Sequence, residues 1–122
     1  MSANKESYDQ LLVIFGASGD LTSRKLLPAF SELFSRGLLP DHFAILGAAR
    51  SDFSDVSFRR SHRRLLEGDR ADEFLDRVYY LRFDPTAPLA YKKLAERIGR
   101  LREDLRLPDR ILYYLATPPS MY

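Results

Sequence analysis

The 122-residue chain has no cysteine, a net charge of only +2 from 19 Lys and Arg against 17 Asp and Glu, and no apolar run long enough to cross a bilayer. Each of these absences excludes a class of protein. Without cysteine there are no disulfides and no thiolate metal sites. A near-balanced charge does not imply a nucleic-acid surface, and a bilayer span would need roughly 20 apolar residues in succession. The opening MSANKESYDQ is polar and has no basic n-region followed by an apolar stretch, so secretion is not indicated and the cytoplasm is the expected setting. No internal repeat or low-complexity tract appears, and His, Asp and Glu form no cluster of metal-ligand spacing. What remains is ordinary for one soluble domain: 45% hydrophobic and 30% charged residues, enough for a true core. Residues 1–9 read as a flexible segment and 10–122 as the domain.

Short apolar runs alternate along the chain with longer stretches of helical period. The expected strands are Leu11–Phe15, Phe43–Ala48, Val78–Phe83 and Ile111–Ala116. The first is apolar without alternation, as a strand buried on both faces requires. Between them lie expected helices at Thr22–Arg36, with Leu26, Phe30, Leu33 and Phe34 on one face, at Ser54–Leu66, with Val56, Phe58, Leu65 and Leu66, and at Ala87–Leu105, with Leu94, Ile98, Leu101 and Leu105. Ala71–Leu75 reads as a short continuation of the second. Gly37 supplies a C-terminal stop to the first helix. Pro28 either sits at its first position or kinks it one turn in. Such a β-α-β series predicts an α/β fold with a doubly wound parallel sheet of about four strands and three helices.

The most informative segment is LLVIFGASGDL, residues 11–21, in which a buried strand runs into a tight glycine turn that opens a helix. Gly16 suits the dihedrals of a sharp strand-to-helix turn, and Gly19 lets a pyrophosphate approach the backbone. The phosphate would rest on backbone N–H groups at the helix start. The alternative is a structural turn without a ligand. A second signal stands after the second strand, where NAD enzymes carry an acidic residue for the ribose 2′-hydroxyl. This chain reads GAARSD. Arg50 offers a planar, permanently charged fork to a 2′-phosphate, and the Ser51 hydroxyl adds a further donor. Asp52 is the counter-signal: facing the ribose, it would tilt the preference back to NAD. Arg50 also has a bland reading, as a loop charge paired with Asp52.

Three segments, VIFGASGDLTSRKLLPAF, LFSRGLLPDHFAILGAARSD and ILYYLATPPSMY, together resemble the N-terminal coenzyme domain of the glucose-6-phosphate dehydrogenase family, over residues 11–122. The combination is specific: GASGDL before a basic pair and a proline, GLLP before the second strand, and PPxxY after the fourth. The resemblance implies a Rossmann-type domain, NADP as cofactor, and D-glucose 6-phosphate oxidised to its lactone. It makes Gly16, Ala17, Ser18, Gly19, Asp20, Leu21, Thr22 and Ser23 the dinucleotide-binding turn, with Arg50 the 2′-phosphate anchor and Ser51 beside it. By the same resemblance Phe83 and Asp84 line the adenosine side, Tyr122 is an aromatic at the coenzyme site, and Lys25 approaches the sugar phosphate.

Two departures follow. Many relatives are basic where this chain has Ser23, which removes one phosphate-facing charge. The family's substrate signature D-H-Y-L-G-K and its general-base histidine do not occur in these residues, so the chain reads as a truncated piece with no catalytic residue of its own. A homo-oligomer is then expected only of the full-length protein. An isolated nucleotide-binding module and an interaction remnant without ligand are the other readings. The apolar ILYYLA at 111–116, left as an edge strand, would invite unwanted pairing. His42 and His62 do not belong to the glycine-turn mouth. The run Arg59, Arg60, Ser61, His62, Arg63, Arg64 reads as a solvated helix face, and Tyr79, Tyr80, Tyr113 and Tyr114 read as packed under helices.

Overall fold

The computed structural model of this chain describes residues 10–17, 19 and 22–115. The N-terminal segment 1–9, the final residues 116–122 and, within the glycine turn, Ser18, Asp20 and Leu21 lie outside them, as does the side chain of Ser23. Four strands, β1 (Gln10–Phe15), β2 (Phe43–Ala49), β3 (Val78–Arg82) and β4 (Ile111–Leu115), form one sheet in the order β3-β2-β1-β4. Every pairing is parallel, with Phe15 opposite both Ala48 and Leu115, and Ala48 opposite Leu81. The C-terminal ends of all four strands therefore share one edge.

Strand β1 shows why its sequence does not alternate. Successive side chains point to opposite faces, and both faces are covered: Leu12 and Ile14 join one core, Leu11 and Val13 the other. The first core lies under α1 (Leu27–Ser35), α2 (Asp55–Arg63) and α3 (Ala71–Leu75), and is filled by Leu27, Phe34, Phe58, Phe74 and Tyr80. The second lies under α4 (Ala90–Leu105), with Leu94, Ile98 and Leu101 packed against Phe83 and Leu107. No helix among the described residues is long and apolar enough to cross a membrane.

The helices depart from the sequence expectation in instructive ways. The stretch expected at Thr22–Arg36 divides into a π-helical turn, Thr22–Leu26, and α1, whose second residue is Pro28. Proline has no N–H to give and its ring crowds the carbonyl four residues back, so the wide turn lies ahead of it and the regular helix starts beside it. Gly37 ends α1 as expected: at φ +72° its N–H meets the Phe34 carbonyl at 3.0 Å while Leu38 N–H meets that of Leu33 at 2.9 Å. Helix α2 stops at Arg63, so Leu66 is buried beyond it, and Val56 and Leu65 are exposed rather than packed. Its inner face is completed by His62, buried against Phe58 with Nδ1 2.8 Å from the Phe58 carbonyl. Residues 71–75 form a separate helix, not a continuation. Helix α4 starts at Ala90 instead of Ala87, because Leu89 ahead of it is left-handed, at φ +65°, and Pro88 disfavours helical dihedrals at Ala87.

Two readings of side chains are corrected. The basic run is not simply solvated: Arg59 Nε donates to the Val78 carbonyl at 2.8 Å and Arg63 pairs with Asp72 at 2.6 Å. Of the four strand tyrosines, Tyr80 is buried and Tyr79 partly so, whereas Tyr113 and Tyr114 are exposed on β4. The two sheet edges thus differ. Along β3, Asp55 accepts the Tyr80 N–H at 2.7 Å and the guanidinium of Arg97 at 2.7 Å, and with Arg59 on the Val78 carbonyl it takes two of the bonds a further strand would make. Along β4, Leu112, Tyr113, Tyr114 and Leu115 stand open.

Candidate functional site

Loops leaving β1, β2 and β3 meet at the shared C-terminal edge, where ligands bind in open parallel sheets. Gly16 is the first residue past β1 and turns the chain at φ +80°. Its N–H bonds to the Ala48 carbonyl at 2.8 Å, that of Ala17 reaches the same oxygen at 3.4 Å, and the Gly16 carbonyl accepts from Gly19 N–H at 3.1 Å. Three amides of the turn are thus occupied internally. The first turn of the helix that follows leaves N–H groups without intrahelical partners, which suits an anion. Thr22 stands at that start, buried, and its Oγ1 has no hydrogen-bond partner. A buried orphan hydroxyl beside a glycine turn is the kind of group a ligand satisfies. Ser18, Asp20 and Leu21, expected in this turn, and Tyr122 lie outside the described residues.

Arg50 follows β2, with its side chain about 60% exposed and its Nε 3.8 Å from Oδ1 of Asp84. Its bland reading named the wrong partner, because Arg50 pairs with Asp84 across the edge, not with neighbouring Asp52. Asp84 is held by its own turn: the same oxygen accepts the Thr86 hydroxyl at 2.7 Å and the Thr86 amide at 3.0 Å. Those two bonds, the hydroxyl above all, hold the Asp84 carboxyl below the usual carboxylate range, with Arg50 and Arg82 adding attraction. Phe83 is buried, 5.6 Å from the ring of Phe15 and 5.1 Å from that of Tyr91, so its ring belongs to the core and its main chain to the edge.

The main chain around Arg50 is pinned from β3. Arg82 Nε donates to the Arg50 carbonyl at 3.2 Å, and the Tyr80 hydroxyl donates to the carbonyls of Ser51 at 2.6 Å and Ala49 at 3.0 Å. Arg82, Thr86 and Tyr80 were missed by the sequence reading. Only Thr86 left a signal there, since D-x-T between a strand and a proline is a turn in which an aspartate bonds two residues on. Lys25 is exposed in an open groove of about 920 Å³ lined also by Arg24, Pro28, Glu32, Leu65 and Glu67, and neither Gly16 nor Arg50 lines that groove. No group of three or more His, Asp or Glu among the described residues is arranged to hold a metal ion.

Comparison with known proteins bears on the same edge. The family described as "Glucose-6-phosphate dehydrogenase, NAD binding domain" matches residues 13–122. The glucose-6-phosphate 1-dehydrogenase of Treponema pallidum (strain Nichols) is 42% identical over 121 residues, which is 92% of this chain and 24% of the relative. That of Aggregatibacter actinomycetemcomitans is 40% identical over 117 residues, 91% of this chain and 24% of the relative. A solved structure described as glucose-6-phosphate dehydrogenase in complex with its substrate glucose-6-phosphate superposes with a TM-score of 0.84 at 30% identity, over 94% of this chain and 26% of that one. The chain therefore spans about a quarter of the length of the relatives it matches. With a parallel β3-β2-β1-β4 sheet that carries a glycine turn and an arginine on its C-terminal edge, this chain belongs to the glucose-6-phosphate dehydrogenase family and corresponds to its NAD binding domain.

Proposed function

We propose that this domain holds NADP for a dehydrogenase that oxidises D-glucose 6-phosphate to 6-phosphoglucono-lactone, the entry to the oxidative pentose phosphate route. The observation that carries the coenzyme choice is Arg50, an exposed guanidinium on a loop pinned at the end of β2, where a ribose-binding carboxylate would mark an NAD enzyme. A planar fork donates two parallel hydrogen bonds to phosphate oxygens, and Ser51 stands beside it as a further donor. The turn from Gly16 to Ser23 receives the diphosphate, with the buried Thr22 hydroxyl as a ready donor at the helix start. When bound, NADP supplies the hydride acceptor; what this chain contributes is binding and orientation. Phe83 and Asp84 lie toward the adenosine, and Tyr122 belongs to the same coenzyme site. Lys25 is the residue assigned to the sugar phosphate. A cytoplasmic setting and a homo-oligomer of the full-length protein belong to the same proposal.

Titration of the protein with NADP and NAD tests it. NADP binds more tightly, and Arg50→Ala removes most of the difference, about 1–3 kcal/mol for a charge-assisted bond. Equal affinity for the two coenzymes would remove the Arg50 assignment, and no binding by folded protein would leave an interaction remnant.

A further inference from the structure

Arg50 has two kinds of freedom, and the structure restrains each differently. The main chain is tied down by Arg82 and Tyr80 from β3. The side chain is long and exposed, and such a group gives up rotamer freedom when it grips a ligand. Its charged neighbour is Asp84, with Oδ1 3.8 Å from Nε. Asp84 does not wander, because the amide and hydroxyl of Thr86 both close on that oxygen. Both charges are exposed, so the pair adds little to stability. Its consequence is geometric: a guanidinium met on its Nε side keeps both Nη groups for a bidentate partner.

We propose that Asp84 is a positioning residue for coenzyme selection, holding the Nε side of Arg50 toward β3 so that the Nη fork is presented to the 2′-phosphate. The proposal rests on the reading of Arg50 as the phosphate anchor. The carboxylate also repels a phosphate, but a phosphate on the far side of the guanidinium lies farther from Asp84 than Arg50 does and both charges are exposed to screening solvent, so the repulsion is small beside the rotamer freedom that alignment saves.

Calorimetric titration of NADP and NAD against the protein and its Asp84→Asn, Thr86→Val, Arg50→Ala and Arg50→Ala/Asp84→Asn variants decides it, with thermal melts in parallel. Asp84→Asn keeps an oxygen for Thr86 and removes the charge. The expected result is a loss of NADP affinity three- to tenfold greater than any loss of NAD affinity, with melting unchanged, a smaller loss of preference in the same direction for Thr86→Val, and no further loss of preference when Asp84→Asn is added to Arg50→Ala. If Arg50→Ala abolishes the preference while Asp84→Asn leaves or raises NADP affinity, the positioning role is overturned and the anchor stands. Equal weakening of both coenzymes together with a lowered melt makes Asp84 merely structural and likewise overturns it. If Arg50→Ala leaves the preference intact, the anchor reading itself fails.

Discussion

A Cβ built on Gly47 would lie 2.7 Å from the Cβ of Ala17 and 3.4 Å from the ring of Phe58. The missing side chain in β2 is therefore what allows the glycine turn after β1 to settle on the sheet, with Ala17 fully buried against it. Gly47→Ala is expected to cost about 1–3 kcal/mol, because a methyl forced against another methyl near the backbone must move one of them; thermal or urea unfolding measures it. Nothing in FAILGA singles out that glycine, since the group it makes room for lies thirty residues earlier in the chain. Tyr80 is a second residue whose role depends on distant neighbours. Burial pushes its phenol up to about 12, with Arg82 pulling it down and Asp52 adding to the rise. The folded protein holds this proton more tightly than the unfolded chain, whose tyrosines titrate near about 10. Tyr80 thus favours folding below that pH and the benefit is lost as pH rises toward 12. Alkaline unfolding should steepen in this window, and Tyr80→Phe should flatten it; equal slopes for the two proteins would contradict the assignment.

Helices α1 and α4 both end in a left-handed residue, but with opposite chemistry. At α1 the residue is Gly37; at α4 it is Arg106, at φ +55°, with Leu107 N–H bonded to the Arg102 carbonyl at 2.9 Å. A side chain in that conformation costs roughly 1–2 kcal/mol, and replacing it by glycine gives back part of that through the unfolded chain. Arg106→Gly is therefore expected to raise stability by about 0.5 kcal/mol, read as a small upward shift of the melting temperature. The Gly37 stop was legible in sequence because glycine is the residue such a stop favours, while the Arg106 stop was not. Helix α2 teaches the converse. Its start follows from Ser54, whose side chain takes the Ser57 N–H at 3.0 Å while Ser57 Oγ takes that of Ser54 at 2.9 Å. Its end was set too far on, because Leu65 and Leu66 extend the apolar period past Arg63 although only Leu66 is buried.

For the molecule as a whole, the two edges of the sheet have opposite character. Two side chains of α2, Asp55 braced by Arg97 of α4 and Arg59, take the outward Tyr80 N–H and Val78 carbonyl of β3, so that edge offers less to another strand. The β4 edge presents Leu112, Tyr113, Tyr114 and Leu115 to solvent. Produced as these 122 residues alone, the protein is expected to self-associate, and Leu112→Lys with Tyr114→Lys to shift it toward monomer in gel filtration. A sharp monomer peak from the unaltered chain would contradict this.

Local chemistry in the sequence was enough for the order of elements, the doubly buried central strand, the glycine turn and the stop at Gly37, because each depends on residues within a few positions of one another. Tertiary structure alone decided that His62 completes a core, that Gly47 makes room for Ala17, and that Arg50 answers to Asp84 thirty-four residues away rather than to adjacent Asp52. Those outcomes depend on which strand ends fall side by side, and parallel pairing brings together chain segments that no local pattern links.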